Sequence, residues 1–415
     1  MNPPTLFKNY SFIFVWLATA FSTVGFSMYT ITVSWHLSNN LGLAAAVGIV
    51  LTTAAIPRVV VMILGGVLAD KYQKSKVMFV THVFQSLTIA ELCFMFNEEA
   101  LTFPFLLLFS FLMGLFDAFY WPASSSIIPT IVRNEDLQQA NSIVQGSHTL
   151  FYVLGPIIGG VIISSFSVGA SFLASAIMVI LSAIFVFPHF IKDTIPTPTT
   201  EKTSMIRELR EGFGYVKRSP VHYWGVIIIV IIHFFVLGPL GNSFPILVTS
   251  LKGTALDLSY MEAALGIGTF VAAILMVVIS KRKVGTKLIF LFLFITAILL
   301  TIFSRLESIL LLTLLATGIG FAAIVAYLPI ITLIQQKTEQ KKLGRVMSIV
   351  TLSSNGVEPL AFAFISAMMT AGFTIHTLLT MLGVGCLLFG LIAYSRAKEF
   401  RKIESITSTL MVDNK

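Results

Sequence analysis

Twelve apolar stretches, each long enough to cross a bilayer, leave this 415-residue chain few ways to fold. A spanning helix needs about 20 mainly apolar residues. Stretches of that kind fall at roughly 11–37, 43–69, 77–97, 101–131, 140–166, 169–190, 221–249, 259–280, 288–304, 308–334, 346–371 and 374–395. Only 11% of the residues are Asp, Glu, Lys or Arg, against 56% apolar, and the mean hydropathy is +0.91. A soluble domain carries about 25% charged residues. A water-soluble globule, a disordered tail protein and a nucleic-acid binder are thereby excluded, and lipid is the expected solvent.

The gaps between stretches are short except for one. Residues 191–220 open with Ile195-Pro-Thr-Pro-Thr-Thr200 and continue into a predicted amphipathic helix over Met205–Val216, which carries Arg207, Glu208, Arg210 and Glu211. The domain reading is therefore 1–190 as a first six-helix bundle and 191–220 as a linker. Residues 221–395 form a second six-helix bundle, and 396–415 a tail. The predicted fold is an all-α integral membrane protein of twelve spans in two pseudo-symmetric bundles. Two six-helix repeats around a midplane site are a common transporter plan. The repeats echo each other where Leu137-Gln-Gln-Ala-Asn-Ser-Ile-Val144 opens the fifth span and Leu343-Gly-Arg-Val-Met-Ser-Ile-Val350 opens the eleventh.

Lys and Arg set orientation. With the N-terminus placed inside, 24 of the 27 basic residues fall in inner segments, and only Lys252 and Arg305 in outer loops; Arg58 lies within a span. Both termini and the linker are expected on the cytoplasmic side of a cell membrane. The same bias accounts for the net charge of +8 without an anionic ligand. Cys93 and Cys386 sit in apolar stretches and read as small buried hydrophobes. The start of the chain, Met1–Tyr10, does not have the form of a cleavable leader. No metal-ligand spacing and no Walker loop appears, so neither a metal nor another cofactor is expected, and ATP drive is disfavoured.

Three short segments carry a family resemblance. The loop after the second span, Gly66-Val-Leu-Ala-Asp-Lys-Tyr-Gln-Lys-Ser-Lys76, resembles the signature loop of the major facilitator superfamily. Gly66, Leu68, Asp70, Lys71 and Lys74 match it, while Gln73 replaces its second glycine and Ser75 a basic residue. The fifth span contains Gly155-Pro-Ile-Ile-Gly-Gly160, similar to the core motif of proton-driven exporters, with Phe151 at the position of a usual glycine. The fourth span ends Ala118-Phe-Tyr-Trp-Pro-Ala123, similar to a segment of macrolide and siderophore exporters. One departure stands out. Many proton-coupled exporters carry an arginine in span four, but here the region reads Ser110-Phe-Leu-Met-Gly-Leu-Phe-Asp117.

The resemblance implies a gating role for the first loop, with Asp70 compensated by the positive end of span eleven near Val346 in an outward-open state. A negative charge at a helix C-terminus is disfavoured by the dipole, so Asp70 needs some such partner; the plain alternative is positive-inside anchoring by Lys71 and Lys74. Gly155, Pro156, Gly159 and Gly160 strip one helix face of side chains, giving either a seam that seals one state or ordinary close packing.

Ionisable groups within spans are costly and are functional candidates by default. The mid-span set is Arg58, Asp117 and Glu358, with Glu91, Glu262, His148 and His233 as weaker members. Arg58 lies about 15 residues from the outer end of span two and Asp117 about 16 from that of span four, so at about 1.5 Å per residue they reach similar depths. Asp117 is thus the better-placed partner for Arg58, which leaves Glu358, beside Pro359, as the expected titrating group. The expected activity is proton-coupled export of an amphipathic small molecule by a monomer in lipid. Export of one dedicated metabolite, such as a siderophore or lipid-like molecule, is the second reading. A non-transporting sensor or scramblase is the third.

Overall fold

The computed structural model describes residues 5–191, 193, 205–279, 285–339 and 342–403, without the side chains of residues 5, 62–71, 134, 205–209 and 279. The Pro- and Thr-rich loop after Ile195, part of the basic loop 281–287 and the end of the tail lie outside the described residues, as do the surroundings of Gly66 and the side chains of Asp70 and Lys71.

Among the described residues twelve helical segments have the length and apolarity to cross a membrane, and no strand occurs. The reason is physical. Hydrocarbon offers no partner for backbone N–H and C=O groups, so each span must satisfy them internally. The helices are α1 (Tyr10–Trp35), α2 (Val47–Lys71), α3 (Lys74–Asn97), α4 (Phe103–Ile131), α5 (Leu137–Ser165) and α6 (Val168–Phe185). The linker helix α7 (Met205–Arg218) follows. The second set begins with α8 (Pro220–Ile232) and α9 (Gly238–Ser250), which together make span seven. Next come α10 (Ala255–Ile279), α11 (Thr286–Phe303) and α12 (Ile309–Lys337). Span eleven is α13 (Leu343–Asn355) plus α14 (Glu358–Thr370), and α15 (Ile375–Arg396) is the last.

Local chemistry sets the helix ends. The side chains of Asn9, Ser167 and Thr374 cap α1, α6 and α15 by accepting from the backbone N–H three residues on. At the end of α14, Gly372 takes φ +96°, its N–H bonds Met369 O, and that of Phe373 bonds Met368 O. That paired pattern needs a left-handed residue after the cap, which glycine adopts without a Cβ clash.

Spans seven and eleven each lose the regular α-helix part-way along. Span seven carries a π turn, His233–Leu237, between α8 and α9. Span eleven breaks at Gly356-Val357, so Pro359 does not bend a continuous helix: it occupies the first turn of a new one, where its missing N–H costs nothing. By contrast α5 runs unbroken through Pro156.

The chain forms two compact units, one of Met1–Thr200 with Val248–Ala263, the other of Glu201–Leu247 with Ala264–Lys415. Within the first, α1 packs on α5 and α6, α3 on α4 and α6, and α2 along α4. Within the second, α8 packs on α13 and α15, and α11 on α12 and α15, which repeats the same order of partners six spans later. Without a hydrophobic drive between helices in lipid, close approach depends on small residues. In the first unit a Cβ on Gly114 of α4 would stand 1.8 Å from the Ala54 carbonyl oxygen of α2. In the second, a Cβ on Gly268 of α10 would stand 2.0 Å from Thr317 O of α12.

Candidate functional site

The α2–α4 crossing builds the first cluster. Gly114 lets the backbones touch at Ala54, and one turn further along each helix come Asp117 and Arg58. Their side chains meet with Arg58 Nε 3.0 Å from Asp117 Oδ2; Asp117 is 12% exposed and Arg58 36%. The guanidinium also lies over the Trp121 ring, 5.7 Å from its centroid. Trp121 in turn meets the edge of His148, which stacks on Tyr152. Carboxylate and guanidinium therefore form a neutral pair extended by an aromatic row.

Replacing Gly114 by valine should push α2 from α4, because the obstructing atom is backbone and cannot rotate away. Overpacking typically costs about 1–3 kcal/mol. A Gly114→Val protein in detergent is expected to melt several degrees lower than wild type and to give less monodisperse material. An unchanged melting point would show that the crossing relaxes freely.

The second cluster forms where the two irregular spans meet. A Cβ on Gly238 would stand 2.9 Å from Ala361 Cβ and 3.5 Å from Glu358 Cα, so the start of α9 lies hard against the start of α14. That approach places His233, the first residue of the π turn, against Glu358, the first residue of α14. His233 Nδ1 is 2.9 Å from Glu358 Oε1, with side chains 9% and 33% exposed. The Tyr327 ring of α12 stands edge-on to the imidazole at 5.4 Å. Asn242, fully buried on α9, donates to Phe362 O at 3.5 Å.

Sequence reasoning ranked His233 below Glu358, and the structure makes it the partner of Glu358. The signal available was modest: a histidine in mid-span, with no local side chain to satisfy it. Of the other weaker members, Glu91 is exposed on α3 and Glu262 is partly buried on α10, one turn after Ser259.

The glycine motif of α5 has two faces. Gly155 and Gly159 lie against α1, where added Cβ atoms would stand 2.6 Å from Ser27 Oγ and 2.9 Å from Ile31 Cγ2. Gly160 instead faces the first turns of α10, where a Cβ would overlap Ser259 Oγ. Pro156 is buried between them.

Around the signature loop, Lys74 is buried in the first turn of α3. The two departures from the family pattern share one partner. Gln73 Nε2 and Ser75 Oγ each donate to Asp193 Oδ1 at 2.8 Å, and the Ser75 N–H donates to Oδ2 at 2.9 Å. A buried carboxylate from beyond α6 thus caps α3, where the helix dipole favours a negative charge. No group of three or more His, Cys, Asp or Glu suited to a metal ion occurs among the described residues.

With this geometry in place, the comparisons with known proteins decide the family. The Major Facilitator Superfamily model matches residues 15–362. The chain belongs to the major facilitator superfamily. It is a multi-pass membrane transporter and not an enzyme. Macrolide efflux protein A of Streptococcus pyogenes is 20% identical over 341 residues, 81% of this chain and 84% of that protein. Enterobactin exporter EntS of Shigella boydii serotype 4 (strain Sb227) is 23% identical over 278 residues, 66% of this chain and 65% of the exporter. An MFS-type transporter of Bacillus subtilis (strain 168), YfiS, is 26% identical over 244 residues, 57% of this chain; the match spans about half of that relative, 55%. Among solved structures, the nucleoside transporter NupG (D323A mutant) aligns with a TM-score of 0.74 at 10% identity, over 92% of this chain and 99% of its own. A bacterial homolog of the human lysosomal transporter Spinster aligns at 0.69 and 15% identity, over 95% and 98%. Both share the fold.

Proposed function

We propose that this transporter exports an amphipathic small molecule across the inner membrane in exchange for entering protons, by alternating access. Export is the direction named for two of the relatives, macrolide efflux protein A and the enterobactin exporter. The observation that carries proton coupling is the different company of the two intramembrane acids. Asp117 faces a permanent cation, because arginine does not deprotonate in proteins. Glu358 faces an imidazole, which exists in a neutral and a protonated form. A pair that can switch between charged and neutral forms inside a membrane suits a proton carrier; a fixed ion pair suits scaffolding. Proton and substrate then compete for one site, and their alternation drives the cycle.

The direct test of export is a strain lacking this protein. Amphipathic drugs and secreted apolar metabolites should accumulate inside such cells, read by mass spectrometry, and re-expression should clear them. A strain with unchanged contents across such a panel would count against export.

The orientation proposal places both termini and the 191–220 linker in the cytoplasm, on the 24-to-2 division of basic residues. Cysteines placed singly at Lys252 and Lys283 check it. An impermeant maleimide added to intact cells should label position 252 and spare 283. The opposite pattern would invert the topology.

A further inference from the structure

We propose that the transported proton binds at Nε2 of His233, with Glu358 as its fixed counter-charge. This rests on the proton-coupled reading above and names the atom that carries the proton.

The hydrogen bond between His233 Nδ1 and Glu358 Oε1, at 2.9 Å, sets the tautomer. An ionised carboxylate only accepts, so Nδ1 must carry the hydrogen of a neutral imidazole, and Nε2 is left with a lone pair. Nε2 is buried and has no hydrogen-bond partner among the described residues. A buried nitrogen lone pair without a donor is costly. His36 and His82 also hold unpartnered buried ring nitrogens, but of the three only His233 pairs with a carboxylate, so a proton delivered there by water or by the substrate gains a counter-charge.

Charge points the same way. In the unloaded form the pair is an anion in an apolar span. One proton on Nε2 makes it a neutral ion pair, with Nδ1–H still donating to the carboxylate. No bond other than the new N–H forms, and none breaks. The Arg58–Asp117 pair is already neutral and has no comparable gain. A net charge in low dielectric is the expensive state, so the loaded His233–Glu358 pair is the one suited to cross between faces.

The backbone supports this division of roles. His233 opens a π turn and Glu358 follows a helix break, so both partners sit where a span is irregular. Single π turns inside helices are frequent at functional sites. Among the described residues, Tyr327 of α12 is the other titratable side chain with a ring contact, hydrogen bond or ion pair to the imidazole, through its ring. On α8 itself, His222 is committed to Ser219 and Thr338 about three turns away. The helices α11 and α15 also pack on the turn. Their ionisable groups, Lys287 on α11 and His376, Cys386, Tyr394 and Arg396 on α15, make no hydrogen bond or ion pair with His233 among the described residues.

The test needs no substrate. Full-length protein labelled with 15N-histidine is titrated from alkaline to acid in lipid nanodiscs. The His233 signal is the one lost in His233→Gln. At alkaline pH it should report the Nδ1–H tautomer, and on acidification Nε2 should gain a proton in one step. In Glu358→Gln, which keeps all seven histidines, the tautomer preference should be lost. If His233→Gln does not fold, selective loss of tautomer preference in Glu358→Gln identifies the signal instead. A His233 that stays neutral while a carboxyl band in the infrared takes the proton would overturn the proposal. So would a His233 that is Nε2–H at alkaline pH. Failure here is distinct from failure of proton coupling. Wild-type protein that moves substrate without protons sinks the coupling reading, whereas a silent His233 in a protein that does couple sinks only this assignment.

Discussion

Glu358→Gln is expected to abolish proton-driven accumulation of substrate while leaving exchange of internal for external substrate intact. The glutamine can still hydrogen-bond His233, accepting through its oxygen or donating through its amide, in place of the native contact at 2.9 Å, so the α9–α14 approach should survive. What changes is charge. With a neutral histidine the native pair is an anion until it takes a proton. The variant pair is already neutral, so it has no cause to take one and can cross between faces unloaded. Exchange requires substrate binding and alternation but no net proton movement. Accumulation should therefore collapse to equilibrium at near-normal exchange rates. A Glu358→Gln protein that still concentrates its substrate against a gradient would remove Glu358 from the coupling site.

Asp117→Asn is expected to behave differently, because it strands a cation inside the membrane. Breaking a fully buried pair by removing one partner costs about 3–5 kcal/mol. Arg58 is 36% exposed and retains Trp121 beneath it, so the loss here should be smaller, roughly 1–3 kcal/mol after screening. Folded yield and melting temperature should both fall, with activity falling alongside them. Removing both charges, as in Asp117→Asn with Arg58→Met, should recover part of the yield, since a buried pair contributes little net stability when replaced whole. An Asp117→Asn protein that folds normally and loses only coupling would make Asp117 the proton carrier and reduce Glu358 to a packing or substrate-binding residue.

These two predictions rest on features that the sequence reveals to different degrees. Spans are legible because the rule behind them is one-dimensional: about 20 apolar residues must stand together whatever the tertiary structure. The level of Arg58 with Asp117 is legible for a similar reason, since depth along a straight helix is a count of residues. The Glu358 partnership is not. His233 is 125 residues away, and it reaches Glu358 only because span seven takes a π turn and Gly238 admits a backbone beside it. The turn leaves the apolar pattern intact, whereas the break at Gly356-Val357 falls in the polar run Ser353-Ser-Asn-Gly-Val-Glu358, whose meaning depends on the partner span. Asp193 was hidden differently. Gln73 and Ser75 read as losses from a family pattern, yet both supply hydrogen bonds to one carboxylate beyond α6. Substitutions in a motif can preserve an anchor by changing its chemistry, and only the three-dimensional partner reveals it. Gly114 shows the same limit, because a glycine in a helix is marked as an approach point only once Ala54 is found opposite.

The central claim is that substrate export is driven by proton entry at the His233–Glu358 pair. Purified wild-type protein in proteoliposomes tests it most directly. A substrate identified from the export-deficient strain is loaded at equal concentration on both sides, and a pH step is imposed across the membrane. Substrate should move against its own gradient toward the acidic side, protons should move the opposite way, and a protonophore that collapses the pH difference should abolish the substrate movement. Substrate movement of equal size with and without the pH step, in liposomes that hold their pH difference, would contradict the account.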